Sequence, residues 1–228
     1  MDRDLLTVQG LALDAYGTLV EPVSGAWFQW VRRHGDPNRL RTGRRRILTE
    51  PLDLSPESLV AIFGLDPEAA LVALQLLEEE VSGVRCFADT APFLNEMRSR
   101  GLKWVVVSNL GRSWGAPVRR LLGAWIEDFV FSFETGLLKP DPKIFHLACR
   151  RLDLDPARVL MVGDSYRSDV EGARRAGLQA LHLRRSSAGK PSAGSTALPS
   201  LEQLRIFLKD VDLAHGRRRR QDDGLSRR

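Results

Sequence analysis

Leu11-Ala-Leu-Asp14-Ala-Tyr16-Gly17-Thr18-Leu19 puts a carboxylate directly after a short apolar run and a glycine turn directly after the carboxylate. An acid at the end of a buried strand needs a reason, and a turn-forming Asp before Gly is one common reason. The device returns at Val159-Leu-Met-Val162-Gly163-Asp164, and Asp169 follows at the start of a helix, where the helix dipole also favours an acid. Two strand ends built alike favour chemistry over turn formation.

Further apolar, β-branched runs lie at Lys103 to Val107, Phe129 to Phe133 and Leu178 to Leu183, and the first run extends from Val8 to Leu13. Helix starts stand between the later runs, at Asp89-Thr90-Ala-Pro92, at Ser113, at Asp141-Pro142 and at the capping box Ser168-Asp169-Val170-Glu171. Alternating strand and helix predicts an α/β fold, a Rossmann-like parallel sheet with helices on both faces. Ligands in such sheets gather at the carboxyl ends of the strands, where strand order reverses.

Residues 21–88 interrupt the alternation with helical patterns alone and read as an inserted small helical cap between core segments 1–20 and 89–210. One helix there places Trp27, Trp30, Val31 and His34 on a single stripe, read as packing, with a substrate box formed by Trp27 and Trp30 as the lesser alternative. Others start at Ser55-Pro56 and at Asp66-Pro67, the last running through Leu71, Leu74 and Leu77. Residues 186–200 read as a flexible connector, Ser200-Leu-Glu-Gln203 as the cap of a short last helix, and residues 211–228 as a basic, disordered tail.

The 228 residues, 43% hydrophobic and 28% charged, suit one soluble core domain carrying one insertion. No uncharged apolar run approaches the roughly 20 residues of a membrane span, and the acidic start is unlike a signal peptide, so a cytoplasmic protein is expected. Cys86 and Cys149 are expected reduced and buried rather than bridged. The net charge of +5 resides mostly in residues 217–228, where six Arg oppose two Asp. A second cluster, seven Arg against Asp36, occupies residues 32–46, inside the insertion, where it is either a solvated face or a field that attracts an anionic substrate. The body is near neutral, and nucleic acid is not its expected partner.

If the strands ending in Asp14 and Asp164 are neighbours, Asp14, Asp164 and Asp169 converge. Three carboxylates in one partly dry pocket repel unless a cation joins them, and Mg²⁺ suits all-oxygen ligands while leaving room for a phosphate oxygen. Lys139, in Leu137-Leu-Lys139-Pro140-Asp141-Pro142, adds one positive charge, and Ser108-Asn109 ends the second strand with groups that hold phosphate oxygens. The histidines at 34, 146, 182 and 215 are scattered, which leaves Ser108 a binder rather than a triad nucleophile.

Asp14-Ala-Tyr-Gly-Thr-Leu19, Ser108-Asn109, Lys139-Pro-Asp-Pro142 and Gly163-Asp164-Ser-Tyr-Arg-Ser-Asp169, in that order, resemble the haloacid dehalogenase-like hydrolase superfamily. The resemblance covers most of the chain, with the insertion where that family carries a C1-type cap. It implies Asp14 as nucleophile, Ser108 and Asn109 as phosphate binders, and Lys139 as the group that orients the nucleophile. It also implies a Mg²⁺ site of Asp14, Asp164, Asp169 and the backbone carbonyl of Tyr16. The expected function is a Mg²⁺-dependent phosphatase acting on a small phosphorylated metabolite through an aspartyl-phosphate. One departure stands out: family phosphatases carry a second Asp where this chain has Tyr16, and losing a positioned acid–base costs about 10²- to 10⁴-fold. Tyr16 is also similar to the motif of metal-independent 2-haloacid dehalogenases, whereas Asp164, where they carry a neutral residue, and Phe145, where they carry a tyrosine, depart from theirs; Asp164 and Asp169 together follow the metal-dependent pattern. A non-catalytic module that binds nucleic acid or protein through its arginines is the third reading.

Overall fold

The computed structural model describes residues 8–185 and 197–209. The expectations for residues 186–196 and for the basic tail lie outside the described residues. Five parallel strands, β1 (Gly10–Leu13), β2 (Lys103–Ser108), β3 (Phe129–Phe131), β4 (Val159–Gly163) and β5 (Gln179–His182), form one sheet in the order β3-β2-β1-β4-β5. Because side chains alternate across a strand, Leu11 and Leu13 of β1 face one layer and Ala12 the other. Both layers are apolar, as a sheet covered on two sides requires.

The first layer packs under α5 (Thr90–Ser99), α6 (Arg112–Leu122) and a last helix, α10, over residues 201–209. The second packs under α8 (Pro142–Leu152) and α9 (Gly172–Arg175), with Phe145 fully buried there. In β1, Leu13 is in register with Val106 of β2 and Val162 of β4. Asp14 therefore leaves the sheet between two strand ends, at the crevice where the chain's crossovers diverge.

Several local expectations are corrected. The run from Phe129 ends as a strand at Phe131, because α7 (Ser132–Thr135) turns away and the Ser132 hydroxyl bonds both the N–H and the C=O of Leu110. The first strand starts at Gly10 rather than Val8. Helix α6 is capped by Gly111 in an extended conformation, so Ser113 lies inside it. Ser168 is likewise interior: Ser165 is the cap and accepts from Ser168 N at 3.3 Å, and the turn it starts, Tyr166–Glu171, is π-helical. Asp89 precedes α5 but gives it no side-chain bond. It accepts instead from Arg185 and from the N–H of Leu201, at the first turn of α10. The predicted cap of that helix holds, since Ser200 Oγ accepts from Gln203 N.

The insertion folds as α1 (Ala26–His34), α2 (Pro37–Thr49), α3 (Pro56–Phe63) and α4 (Pro67–Ser82), with a core of its own around Trp27, Val31, Phe63 and Ala73. Ser55 and Ser58 form a reciprocal capping box and Asp66 caps α4, at the predicted starts. In α4 the buried face is Ala69, Ala70, Ala73, Leu77 and Glu80, while Leu71 is 55% exposed, so the predicted leucine stripe is rotated. Trp27 and Val31 are buried, whereas His34 is exposed and stacks on Trp30 at 3.9 Å. Helix α2 is masked in the sequence because its arginines hide a narrow apolar edge of Leu40, Gly43 and Ile47.

The chain enters and leaves this insertion side by side. Val20 bridges antiparallel to Cys86, Glu21 N donates to Arg85 O at 2.8 Å and Phe87 N to Leu19 O at 3.2 Å. Arg185 seals the junction: it donates to Thr18 O, pairs with both oxygens of Asp89 and lies 3.7 Å above the Phe87 ring. Both cysteines are free; Cys149 is buried as expected, but Cys86 is only half-buried because it sits on this surface ribbon. No single helix among the described residues is long and apolar enough to cross a membrane.

Candidate active site

Asp14, Asp164 and Asp169 come together at the carboxyl ends of β1 and β4, each offering an oxygen within 4.8 Å of the others'. Two glycines make this approach possible. A Cβ on Gly17, whose φ of 77° favours glycine in any case, would overlap the Asp164 carboxylate, and a Cβ on Gly163 would overlap that of Asp169. Asp169 is held from behind by the N–H of Ser165, at 2.9 Å. It is fully buried, Asp14 is 7% exposed and Asp164 stands exposed at the rim.

Lys139 is buried among these acids. Its ammonium carries three N–H groups, and three oxygens surround it: Asp14 Oδ1 at 2.7 Å, Asp169 Oδ1 at 2.6 Å and the Val107 carbonyl at 2.9 Å. Asn109 fixes the backbone that delivers it, accepting from Lys139 N at 2.8 Å and donating to Lys139 O at 2.7 Å, just before the cis peptide at Lys139–Pro140. The Asn109 amide is thus occupied in placing the lysine. Ser108, at the end of β2, is buried to 3% exposure.

The electrostatics follow from burial. Desolvation pushes the Asp14 carboxyl up to about 6, with help from Asp169 and Asp164 and against the pull of Lys139. Desolvation likewise raises Asp164, again with Asp169 adding to it. Burial alone would discharge Lys139, but Asp14 and Asp169 outweigh it and hold the ammonium above the ordinary lysine range. Three carboxylates against one ammonium leave an excess of negative charge in a confined space. The all-oxygen donor set, the two glycine-lined approaches and that excess fit a hard divalent cation.

Tyr16 follows Asp14 by two positions, yet its hydroxyl donates away from the acids, to the Trp114 carbonyl at 3.0 Å. Burial, and secondarily the nearby Glu80, hold its proton well above the usual phenol range. Beside it opens a cavity of about 290 Å³, bounded on the site side by Tyr16 and Asn109 and elsewhere by Trp27, Phe28, Leu48 and Trp114. Trp114, Glu80, Ser132 and Arg185 support the site or its surroundings without belonging to any of the sequence motifs. Only Glu80 carried a signal, as an acid on the apolar face of a helix.

A family model described as haloacid dehalogenase-like hydrolase matches residues 8–177. The chain is 34% identical over 132 residues to glyceraldehyde 3-phosphate phosphatase of Methanopyrus kandleri, covering 56% of this chain and 57% of that one. It is 28% identical over 175 residues to phosphoserine phosphatase of Thermus thermophilus, covering 74% and 65%. The matches thus span less than two thirds of these two relatives. Among solved structures, a HAD family hydrolase of Deinococcus radiodurans with bound phosphate and sodium superposes with a TM-score of 0.65 at 21% identity, covering 91% and 98%. A 2-haloacid dehalogenase of Pseudomonas syringae superposes at 0.59 with 23% identity, covering 89% and 99%, so the backbone likeness speaks for the fold and not for the reaction.

Proposed function

The chain belongs to the haloacid dehalogenase-like hydrolases, and from that premise we propose that it is a Mg²⁺-dependent phosphatase acting on a small phosphorylated substrate. The observation that carries this reading is the meeting of Asp14, Asp164 and Asp169 within 4.8 Å. Halide leaves as an anion and needs no cation to bring it in, so a halide-displacing site has no use for the metal that three converging acids would hold. Asp14, Asp164, Asp169 and the backbone carbonyl of Tyr16 would hold the ion. When bound, Mg²⁺ supplies the charge neutralisation that lets a phosphate dianion approach an acidic pocket.

The chain's own groups divide the remaining work. Lys139 holds Asp14 Oδ1, which leaves the other oxygen to attack phosphorus in line and form an aspartyl-phosphate that water then hydrolyses. The Ser108 hydroxyl and neighbouring backbone N–H groups receive the phosphate oxygens. Asn109 serves through its hold on Lys139. Residues 21–88 act as a cap that excludes water and shapes the substrate's entry. Tyr16 delivers no proton, because its own is committed to the Trp114 carbonyl.

The test is turnover of 4-nitrophenyl phosphate in Mg²⁺, abolished by EDTA and restored by added Mg²⁺. Asp14→Asn removes the nucleophile and is expected to lower kcat by at least about 10⁴-fold. Chloride release from 2-chloropropionate in EDTA, with no phosphate ester turned over, would overturn the reading.

A further inference from the structure

Resting on that phosphatase reading, we propose that the substrate is an aryl phosphate: its ring occupies the cavity beside Tyr16, and Arg44 receives an anionic substituent on that ring. Two independent observations lead there, one about protons and one about shape.

Cleaving a phosphate ester releases an alkoxide or a phenoxide, and an alkoxide needs a proton as it leaves. Arg44, on the cavity lining, keeps its protons because a guanidinium does not deprotonate in a protein, and the other polar side chains there are not free to deliver one. The Tyr16 hydroxyl donates to Trp114 O. Glu80 spends Oε1 on Ser24 Oγ and Trp27 N, and Oε2 on Trp114 Nε1. The Asn109 side chain is closed on the Lys139 backbone. A phenoxide, whose conjugate acid has a pKa of about 10, departs without assistance far more readily than an alkoxide.

The walls select for the same chemistry. Trp27 and Trp114 meet edge to face with centroids 4.9 Å apart, and Phe28 and Leu48 continue the apolar surface. Aromatic faces of this kind favour a flat ring. The volume of about 290 Å³ exceeds the roughly 150 Å³ that holds a benzene, which leaves room for a substituent. Arg44 is the cation on the lining; it lies 4.9 Å above the Phe28 ring and forms no ion pair among the described residues. Its neighbours on α2, Arg39 and Arg46, are tied to Asp36 and Glu50.

The step balances without a general acid. The Asp14 oxygen–phosphorus bond forms as the phosphorus–aryl oxygen bond breaks, the phenoxide leaves with the electron pair and takes its proton from solvent, and water then splits the acyl phosphate to phosphate and Asp14. With saturating Mg²⁺, kcat/KM for phenyl phosphate is expected to exceed that for glycerol phosphate by at least about 10²-fold. Acetyl phosphate, which has a good leaving group but no ring, separates the two arguments. Leu48→Asp should raise KM for phenyl phosphate about 10-fold more than for acetyl phosphate, and Arg44→Glu should do the same to 4-carboxyphenyl phosphate relative to phenyl phosphate. Should Leu48→Asp fail to fold, the unaltered enzyme gives the same answer: phenylphosphonate should inhibit about 10-fold more tightly than methylphosphonate. Turnover of glycerol phosphate within tenfold of phenyl phosphate, or equal inhibition by the two phosphonates, overturns the aryl assignment while the phosphatase stands. Indifference of 4-carboxyphenyl phosphate to Arg44→Glu overturns the role of Arg44. Failure to hydrolyse any of the four phosphates, acetyl phosphate included, overturns the phosphatase reading itself.

Discussion

The acidic end of the sheet and the aromatic cavity beside it share Tyr16 and Asn109 as a common wall, yet they are built by opposite rules. At the acidic end every charged group is placed by backbone: Asp14 by the register of β1, Asp164 and Asp169 by the end of β4 and the π-helical turn, Lys139 by the Asn109 clamp. In the cavity the walls are side chains, contributed by helices α1 and α2 with their own core and by Trp114 of α6. Chemistry is therefore anchored to strands that cannot shift without breaking the sheet, and selectivity is carried by surfaces that can be repacked independently.

Three experiments press on that division. The largest effect is expected at Lys139. Lys139→Met leaves Asp14 and Asp169 buried without their ammonium, and breaking such a buried pair typically costs about 3 to 5 kcal/mol. Thermal unfolding should show the loss without metal and a partial recovery in Mg²⁺; an unmoved Tm would mean that the acids do not depend on the lysine. Next in size is Tyr16→Asp, which restores an acid at the shared wall and should raise kcat/KM for glycerol phosphate by up to about 10²-fold, with little gain on phenyl phosphate. Equal gains on both esters would erase the contrast between a site lacking a proton donor and a cavity chosen to tolerate that lack.

The third effect, on pH, is at most comparable to the second. A carboxyl raised to about 6 binds its proton more tightly when folded, so the stability it contributes is full below about 4 and is lost as pH rises through 6. Without metal, wild type should therefore weaken relative to Asp14→Asn by roughly 3 kcal/mol at most between pH 4 and 7, read by chemical denaturation. In activity the same group gives an acid limb near pH 6, and higher Mg²⁺ should move that limb downward because a cation favours the ionised form. A limb indifferent to Mg²⁺ would place the ion elsewhere.

The contrast also explains what could be read in advance. Asp14 and Asp164 were visible because a strand buried on both faces is an unbroken apolar run, and an acid closing such a run stands out. Their adjacency could be assumed but not read, since parallel order depends on which strands the crossovers bring together. The cavity was nearly invisible. Trp27 faces it by helical rotation that a nine-residue segment does not fix, Trp114 comes from a helix 80 or so residues onward, and α2 hides its buried edge beneath arginines. Asp89 shows the remaining kind of error: its position suggests a cap for α5, yet tertiary structure hands the carboxylate to Arg185 and α10.

The paired crossing of residues 19–21 and 85–87 has a consequence for the history of such a protein. Because the departing and returning strands of chain touch at Val20 and Cys86, the four helices between them join the core covalently at a single doorway, although they also pack on it through Trp114. A tight turn spliced across that doorway would close the main sheet without displacing any of its strands, and a different bundle could be hung there as easily. New pockets can thus be recruited by exchanging one contiguous stretch of gene while the acidic cluster at the strand ends is inherited.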